Sequence, residues 1–376
     1  MSRFARRLQQ AAGTALTSGG GTVGNGLSTD PSFFPIAVWL QTPEAVAADY
    51  KAIGVNTFIG LWNGVTNSSL TALNDQGLYL VADQNATSLS DPLGPTVIKA
   101  WAQTDEPDNA QDDGQGGWGP AVPVQTIIDR YDAFKAGDTL GRPVYLNFGQ
   151  AVANPSWIGI GYNPADRETI YTQYSAGADI VSYDVYPVNA GLPLTYIADG
   201  VDNLRRWTNY EKPVYFWLEC TKYNSGNAGA PTPAQVKCEV WLGLTHGANG
   251  FGYFCHVFSP SFSEAGLLDD STMSAAVGAL NAQVTSLAPV LNSATVTNGV
   301  TVSGATGMHT MVKRYGGSTY LFAVSPSTST QTPTFTVAGV SSATATVDGE
   351  SRTIPVTGGS FSDAFTAYAV HIYRIQ

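Results

Sequence analysis

The chain has 376 residues, 43% hydrophobic and 12% charged, with 40 glycines and 21 prolines, a composition that suits a loop-rich globular protein and excludes a coiled coil or a disordered tail. Its length calls for one large domain with a smaller companion. The formal net charge of −11 argues against a nucleic-acid partner, because such binding neutralises phosphates with Lys and Arg.

Residues 2–16 read as a short basic helix, with Phe4, Leu8, Ala11, Ala12 and Leu16 on one stripe and Arg3, Arg6 and Arg7 off it. The stretch SGGGTVGNG at 18–26 has neither a strand before it nor a lysine, so it reads as a flexible linker rather than a phosphate loop. Residues 1–30 are therefore expected to form an arm and linker, mobile or docked onto a partner or oligomer. There is no h-region of a secretory signal and no apolar run of transmembrane length. A soluble protein is expected, with cytoplasmic, virion-associated and exported locations all open.

From Phe34 the pattern becomes short apolar runs alternating with helical periods, the signature of repeated β/α units. Strands are expected to begin near Ile36, Thr57, Leu78, Val97, Val144, Ile180, Val214 and Gly250, with helices over 43–53, 124–135, 167–175, 196–207, 233–245 and 273–291. Each strand is nearly continuous in apolar residues, as a parallel sheet covered on both faces requires. Eight units in roughly 250 residues predict an α/β fold, a (β/α)8 TIM barrel over 31–293. A doubly wound sheet fits less well, since no GxGxxG follows the first strand. Beyond Leu291 come alternating Thr/Val/Ser-rich segments separated by Gly, Ser and Pro. Residues 294–376 are expected to be a small antiparallel β-sandwich packed on the barrel, with a hairpin turn at Tyr315-Gly-Gly-Ser-Thr319.

Cys220, Cys238 and Cys255 show no zinc spacing and are odd in number, so free thiols are expected. His246, His256, His309 and His371 form no HxH or HExxH pattern, and no Gly-x-Ser-x-Gly elbow occurs. Neither a metal nor another cofactor is implied.

Two of the predicted strands end in acid. The fourth runs through Lys99-Ala-Trp-Ala-Gln-Thr into Asp105-Glu106-Pro107-Asp108, and the seventh, Pro213-Val-Tyr-Phe-Trp-Leu, ends on Glu219. In a parallel barrel both carboxylates emerge at the C-terminal rim, where barrel enzymes place their catalytic groups. This arrangement resembles the large clan of retaining glycoside hydrolases with the acid/base after strand 4 and the nucleophile after strand 7. The resemblance covers the barrel and rests on two short motifs; the Asn that usually precedes the acid/base is Asp105 here. It implies Glu106 as acid/base, Glu219 as nucleophile, a β-linked glycan or glycoside as substrate, and Tyr183 or Tyr186 as a partner of the nucleophile. The arginine often found after strand 2 is replaced by Trp62 and Asn63, and the tryptophan after strand 8 by Phe254 and His256.

Sugars stack on aromatic faces, and Trp39, Trp62 and Trp217 stand in or at the ends of strands while Trp118 lies in the loop after DEPD. These four are expected to bind substrate together with Asp105, Asp184, Tyr183, Tyr186, Asn85 and His256. Asp184 is also a rival catalytic group. Paired with Asp105 it would fit barrels that cleave α-linked sugars. A different class of reading is a non-catalytic carbohydrate-binding or assembly protein, such as part of a phage tail or cell-surface structure.

Overall fold

The computed structural model describes residues 23–376; the basic helix expected at 2–16 and the start of the glycine-rich stretch lie outside them. Eight parallel strands close into a barrel in sequence order: β1 (Ile36–Gln41), β2 (Thr57–Leu61), β3 (Tyr79–Ala82), β4 (Ile98–Ala102), β5 (Val144–Phe148), β6 (Ile180–Asp184), β7 (Val214–Glu219) and β8 (Gly250–Phe254), with β1 paired to β8. Alternation along the strands gathers Ala37, Ile59, Val81, Ala100, Tyr145, Tyr215 and Trp217 inside the barrel. Their neighbours Val38, Phe58, Leu80, Leu146, Phe216 and Phe251 face the helices. Both faces are dry, which explains the unbroken apolar runs. Gly252 is a fitted position: a Cβ there would lie 2.1 Å from the Trp217 ring, so the indole fills the interior only because β8 has no side chain at that point.

The expected helices form at Pro43–Ala52, Val124–Gly137, Arg167–Ser175, Tyr196–Trp207 and Pro233–Thr245. The sixth, expected as one helix over 273–291, is divided into Ser271–Ser286 and Ala288–Leu291. Pro289 explains the division, because it has no N–H to continue the ladder and its ring crowds the preceding turn.

Residues 23–30, expected as linker, pack against the bottom of the barrel. Leu27 joins the interior cluster, the Asn25 side chain accepts the N–H groups of Leu27 (3.0 Å) and Ser28 (2.9 Å), and the Tyr215 hydroxyl donates to the Asn25 carbonyl at 2.5 Å. Gly-rich composition signals freedom, but one leucine and one asparagine suffice to seat the segment. Leu27→Ala should therefore cost about 2–3 kcal/mol of unfolding free energy, by the usual penalty for emptying a buried leucine site. Urea denaturation checks this; a change under about 0.5 kcal/mol, typical of surface positions, would show that the plug carries no load.

After Leu291 the chain forms two antiparallel sheets. One has the order β10 (His309–Tyr315), β11 (Ser318–Val324), β16 (Val370–Ile375), β13 (Ala343–Val347), β14 (Arg352–Val356); the other has β15 (Ser360–Ser362), β12 (Thr334–Val337), β9 (Val300–Ser303). The expected hairpin closes with Tyr315 opposite Ser318, and both loop glycines, Gly316 and Gly317, have positive φ (56° and 78°), the two-residue turn that glycine permits without strain. The sheets enclose Val312, Phe335, Val347, Phe361 and Tyr373. On the outer side Phe322 stacks on Trp241 of the Pro233–Thr245 helix with centroids 5.5 Å apart, so sandwich and barrel share one apolar contact.

Candidate active site

The segment after β4 is shaped by buried polar bonds. Asp108 is fully buried; it accepts the Gly149 N–H at 3.0 Å and the Tyr171 hydroxyl at 2.7 Å. Tyr171 is fixed by stacking on Trp207, at 4.9 Å and nearly parallel. The Tyr174 hydroxyl donates to the Pro107 carbonyl at 3.2 Å. Held at both sides, Glu106 has φ of 42°, a left-handed conformation that costs a non-glycine residue about 1–3 kcal/mol and persists only where the surroundings impose it. Its N–H donates to the Asn147 carbonyl at 3.0 Å, and the Asn109 side chain donates to its Oε2 at 2.9 Å. Asn109 is itself fixed by the Trp157 indole N–H at 3.0 Å.

Beside it, Asp105 opens onto the cleft and accepts from Asn147 Nδ2 at 3.0 Å; the Ser182 hydroxyl orients Asn147 from behind at 2.6 Å. Asp184, at the end of β6, lines the same cleft as Glu106, and the two carboxyls are close enough to repel one another's charge. Three acids from two strand ends thus meet in one cleft of about 310 Å³. Trp39, Tyr186, Trp217, Tyr223, Phe254 and Phe258 supply most of its aromatic wall, and Asn147, Gln150 and Trp157 complete one side. The Trp39 and Trp217 rings meet edge to face at 5.2 Å, and the Trp217 N–H donates to the Tyr145 hydroxyl at 2.7 Å.

Electrostatics follow from that crowding. Burial, then the charge of Glu106 and the other aspartates, pushes the Asp184 carboxyl well above the usual carboxylate range. Burial and the Glu106 charge raise Asp105 to about 7, against the lowering effect of the Asn147 bond. Asp105 keeps contact with water at the cleft mouth, so Asp184 is the stronger holder of a proton. Burial also raises Asp108 to about 6 and the Tyr186 hydroxyl well above its ordinary value.

Several expected site residues stand elsewhere. Glu219 shares the inward parity of Tyr215 and Trp217, but the turn Pro187–Ala190 covers it. Its Oε1 accepts the Val188 and Asn189 N–H groups at 2.5 and 3.3 Å, it is fully buried, and it does not line the cleft. Glu219 therefore stands under the Pro187–Ala190 turn, apart from the residues that line the cleft with Glu106. Burial lifts its carboxyl to about 8, as expected for an acid whose Oε2 is buried without a partner. Tyr183 points outward, fully buried, with its hydroxyl on the Ile197 carbonyl; the odd–even alternation of β6 that brings Asp184 inward sends Tyr183 away. Asn85 caps the short helix Ala86–Ser90, accepting the Ser88 N–H at 2.7 Å, and is not among the residues that line the cleft. Trp118 is 78% exposed in its loop, outside the cleft lining. Trp62 and His256 lie beside the cleft rather than in it, with ring centroids 5.5 Å apart.

The residues that the sequence did not single out are Asn109, Asn147, Gln150, Trp157, Tyr223 and Phe258. Asn109 is three residues after Glu106 and Asn147 sits near the end of a strand, the two positional signals that were available. A larger hollow of about 850 Å³ lies at the opposite end of the barrel, around residues 23–31 with Tyr79 and Lys99, and Asp30 is its one acidic lining residue; it offers no carboxylate pair. Among the described residues no cluster of His, Cys, Asp and Glu could hold a metal ion, and no helix is long and apolar enough to cross a membrane.

No protein-family model matches the chain, and no curated protein matches it in sequence. Solved structures of glycoside hydrolases resemble it in fold. One described simply as a glycoside hydrolase has a TM-score of 0.56 at 10% identity, covering 91% of this chain and 92% of its own. An AmyP variant in complex with maltotriose gives 0.55 at 9% identity, covering 93% and 98%. The family 30 subfamily 8 xylanase Xyn30A from Clostridium acetobutylicum gives 0.49 at 13%, covering 91% and 96%. At such identities the likeness is one of architecture.

Proposed function

We propose that the chain is a glycoside hydrolase whose chemistry is carried by Glu106 and Asp184. The observation that carries this reading is the meeting of these two carboxyls, with Asp105, in an aromatic-lined cleft at the C-terminal mouth of a (β/α)8 barrel. A glycosidase needs one carboxyl that holds a proton for the leaving oxygen and one that is ionised. Like charges in one cleft do not both ionise readily, and burial, which raises the Asp184 carboxyl, supports Asp184 as the one that holds the proton. Asp184 then protonates the glycosidic oxygen as the C1–O bond breaks, and a Glu106 oxygen bonds to C1. In the second step Asp184 takes a proton from water, whose oxygen replaces Glu106 at C1. Asp105 and Asn147 are placed to bind sugar hydroxyls.

Retention of anomeric configuration is part of the proposal. Retaining carboxyls stand about 5 Å apart, whereas inverting ones leave about 6.5–9.5 Å for a water, and retention is carried over from the clan resemblance. A β-linked substrate is carried over from the clan resemblance. The α-linked reading with Asp105 and Asp184 uses the same cleft and draws on the Asp105 carboxyl, which burial and the Glu106 charge push up to about 7. A panel of α- and β-aryl glycosides tests all of this at once. Nitrophenol release from β-substrates, with the anomer of the sugar retained by NMR, is the expected result. Turnover confined to α-substrates would transfer the role to the aspartate pair, and binding of sugars without any turnover would make the barrel a carbohydrate-binding protein.

A further inference from the structure

Next to the cleft lies a row of rings that the proposed chemistry does not use. Trp62, after β2, is 46% exposed; Phe258 and Phe262, after β8, are 46% and 53% exposed. Trp62 meets Phe262 at 5.4 Å, Phe262 meets Phe258 at 6.1 Å, and the buried His256 ring lies under them, 9° from parallel with Phe258 at 5.8 Å. Exposed single apolar side chains are ordinary, but contiguous exposed ones mark a contact surface. The row is continuous with the cleft, because Phe258 lines it and touches Phe254, another lining residue, at 6.1 Å.

We propose that Trp62, Phe258 and Phe262 form a strip of stacking sites that carries a neutral glycan chain out of the cleft, so that the substrate is an oligo- or polysaccharide rather than a single-sugar glycoside. This rests on the glycosidase reading for the cleft itself. Three observations favour a glycan chain as the occupant. The cleft, at about 310 Å³, is at the small end of ligand pockets, which run from about 300 to 1,000 Å³, so a long ligand must continue outside it. The strip offers ring faces with hydroxyl-bearing Ser259 and Ser261 between Phe258 and Phe262 in the sequence, a mixture that suits the apolar face and polar edge of a pyranose. Among the described residues the cleft lining contains Asp105, Glu106 and Asp184 and no Lys or Arg, so an anionic chain is repelled at the point where it would enter.

The test measures binding by calorimetry in the Glu106→Gln background, where turnover is blocked. The probes are xylo-, cello- and malto-oligosaccharides of two to six units, with oligogalacturonates of the same lengths as an anionic series. In at least one neutral series, affinity is expected to rise about tenfold or more from dimer to hexamer, equivalent to about 1.4 kcal/mol. Adding Trp62→Ala or Phe262→Ala should remove most of that ratio. Leu140→Ala, an exposed apolar residue on a remote loop, should leave the ratio as it was, and melting curves confirm that each variant is folded. Equal affinity for dimer and hexamer, no binding in any series, stronger binding of the anionic series, or variants that keep the full ratio would each overturn the strip. So would concentration-dependent self-association that Phe262→Ala abolishes, since the row would then be a contact between copies. Aryl glycoside turnover by the unaltered chain separates the two readings. Turnover without length dependence removes the strip alone; length-dependent binding without turnover removes the hydrolase alone.

Discussion

Asp184→Asn is expected to lower kcat about a thousandfold on a glycoside with a poor leaving group, within the range that general acid catalysis contributes. Asp184 is the carboxyl that burial and the neighbouring charges keep protonated, and an amide of the same shape has no proton to give. Because burial and the neighbouring charges favour the neutral form of this group in the native state, the substitution should leave the denaturation midpoint almost unaltered. The defect should shrink with dinitrophenyl glycosides, whose departure needs little proton donation. A pH profile adds a sign. A raised acid keeps its proton until the pH passes its native value, so the unaltered enzyme should hold its rate to a higher pH than an ordinary carboxyl would allow and lose rate above that. Asp184→Asn should lack that alkaline fall. Steady-state rates across pH check both statements, and a normal rate with a normal profile would remove Asp184 from the mechanism.

Asp108→Ala should give the largest loss of stability among the acids of this loop. It would strand the Gly149 N–H and the Tyr171 hydroxyl in a dry interior, at about 1–3 kcal/mol for each unpaired group, hence roughly 2–6 kcal/mol together. Activity should fall with it, because the same contacts hold Glu106 in its left-handed conformation. Linkage to pH follows from the raised carboxyl of Asp108, about 6 in the native state. Below the ordinary value of 3.8 the group is protonated whether the chain is folded or not, and folding carries no penalty from it. Between that value and about 6 only the unfolded chain has released the proton, so stability falls as pH rises through the window and levels off above it. Glu219, at about 8, extends the fall further. Urea denaturation from pH 4 to 8 measures the slope, and Asp108→Asn should flatten its lower half. A slope that survives that substitution would assign the linkage to other groups.

The barrel could be read from the sequence because each of its strands is buried on both faces, so the apolar runs carry the signal without needing a partner to be known. DEPD could be read for a related reason: acids at the end of such a run have no use in the core. Glu219 ended an equally apolar run and had the right parity, yet four residues of a distant loop, Pro187–Ala190, cover it, and nothing local to either segment encodes that meeting. The same holds for Asn109 and Asn147, neutral side chains whose importance lies in which carboxyl each one faces. The break in the last helix of the barrel was missed, although Pro289 stands in the sequence as its cause. Leu27 was hidden by the glycines around it, since composition reports the freedom of a segment and not the depth of one side chain.

The central claim, that the cleft at Glu106 rather than the covered acid on β7 carries the chemistry, is tested most directly by the hydrolysis rates of Glu106→Gln and Glu219→Gln on one aryl glycoside, measured side by side at pH 7. The account predicts a loss of at least about a thousandfold for Glu106→Gln, as for removal of a group that acts in the transition state. For Glu219→Gln it predicts a rate within about tenfold of the unaltered enzyme, since the amide oxygen can still accept from Val188 and Asn189. A dead Glu219→Gln whose melting curve is intact, beside an active Glu106→Gln, would contradict it.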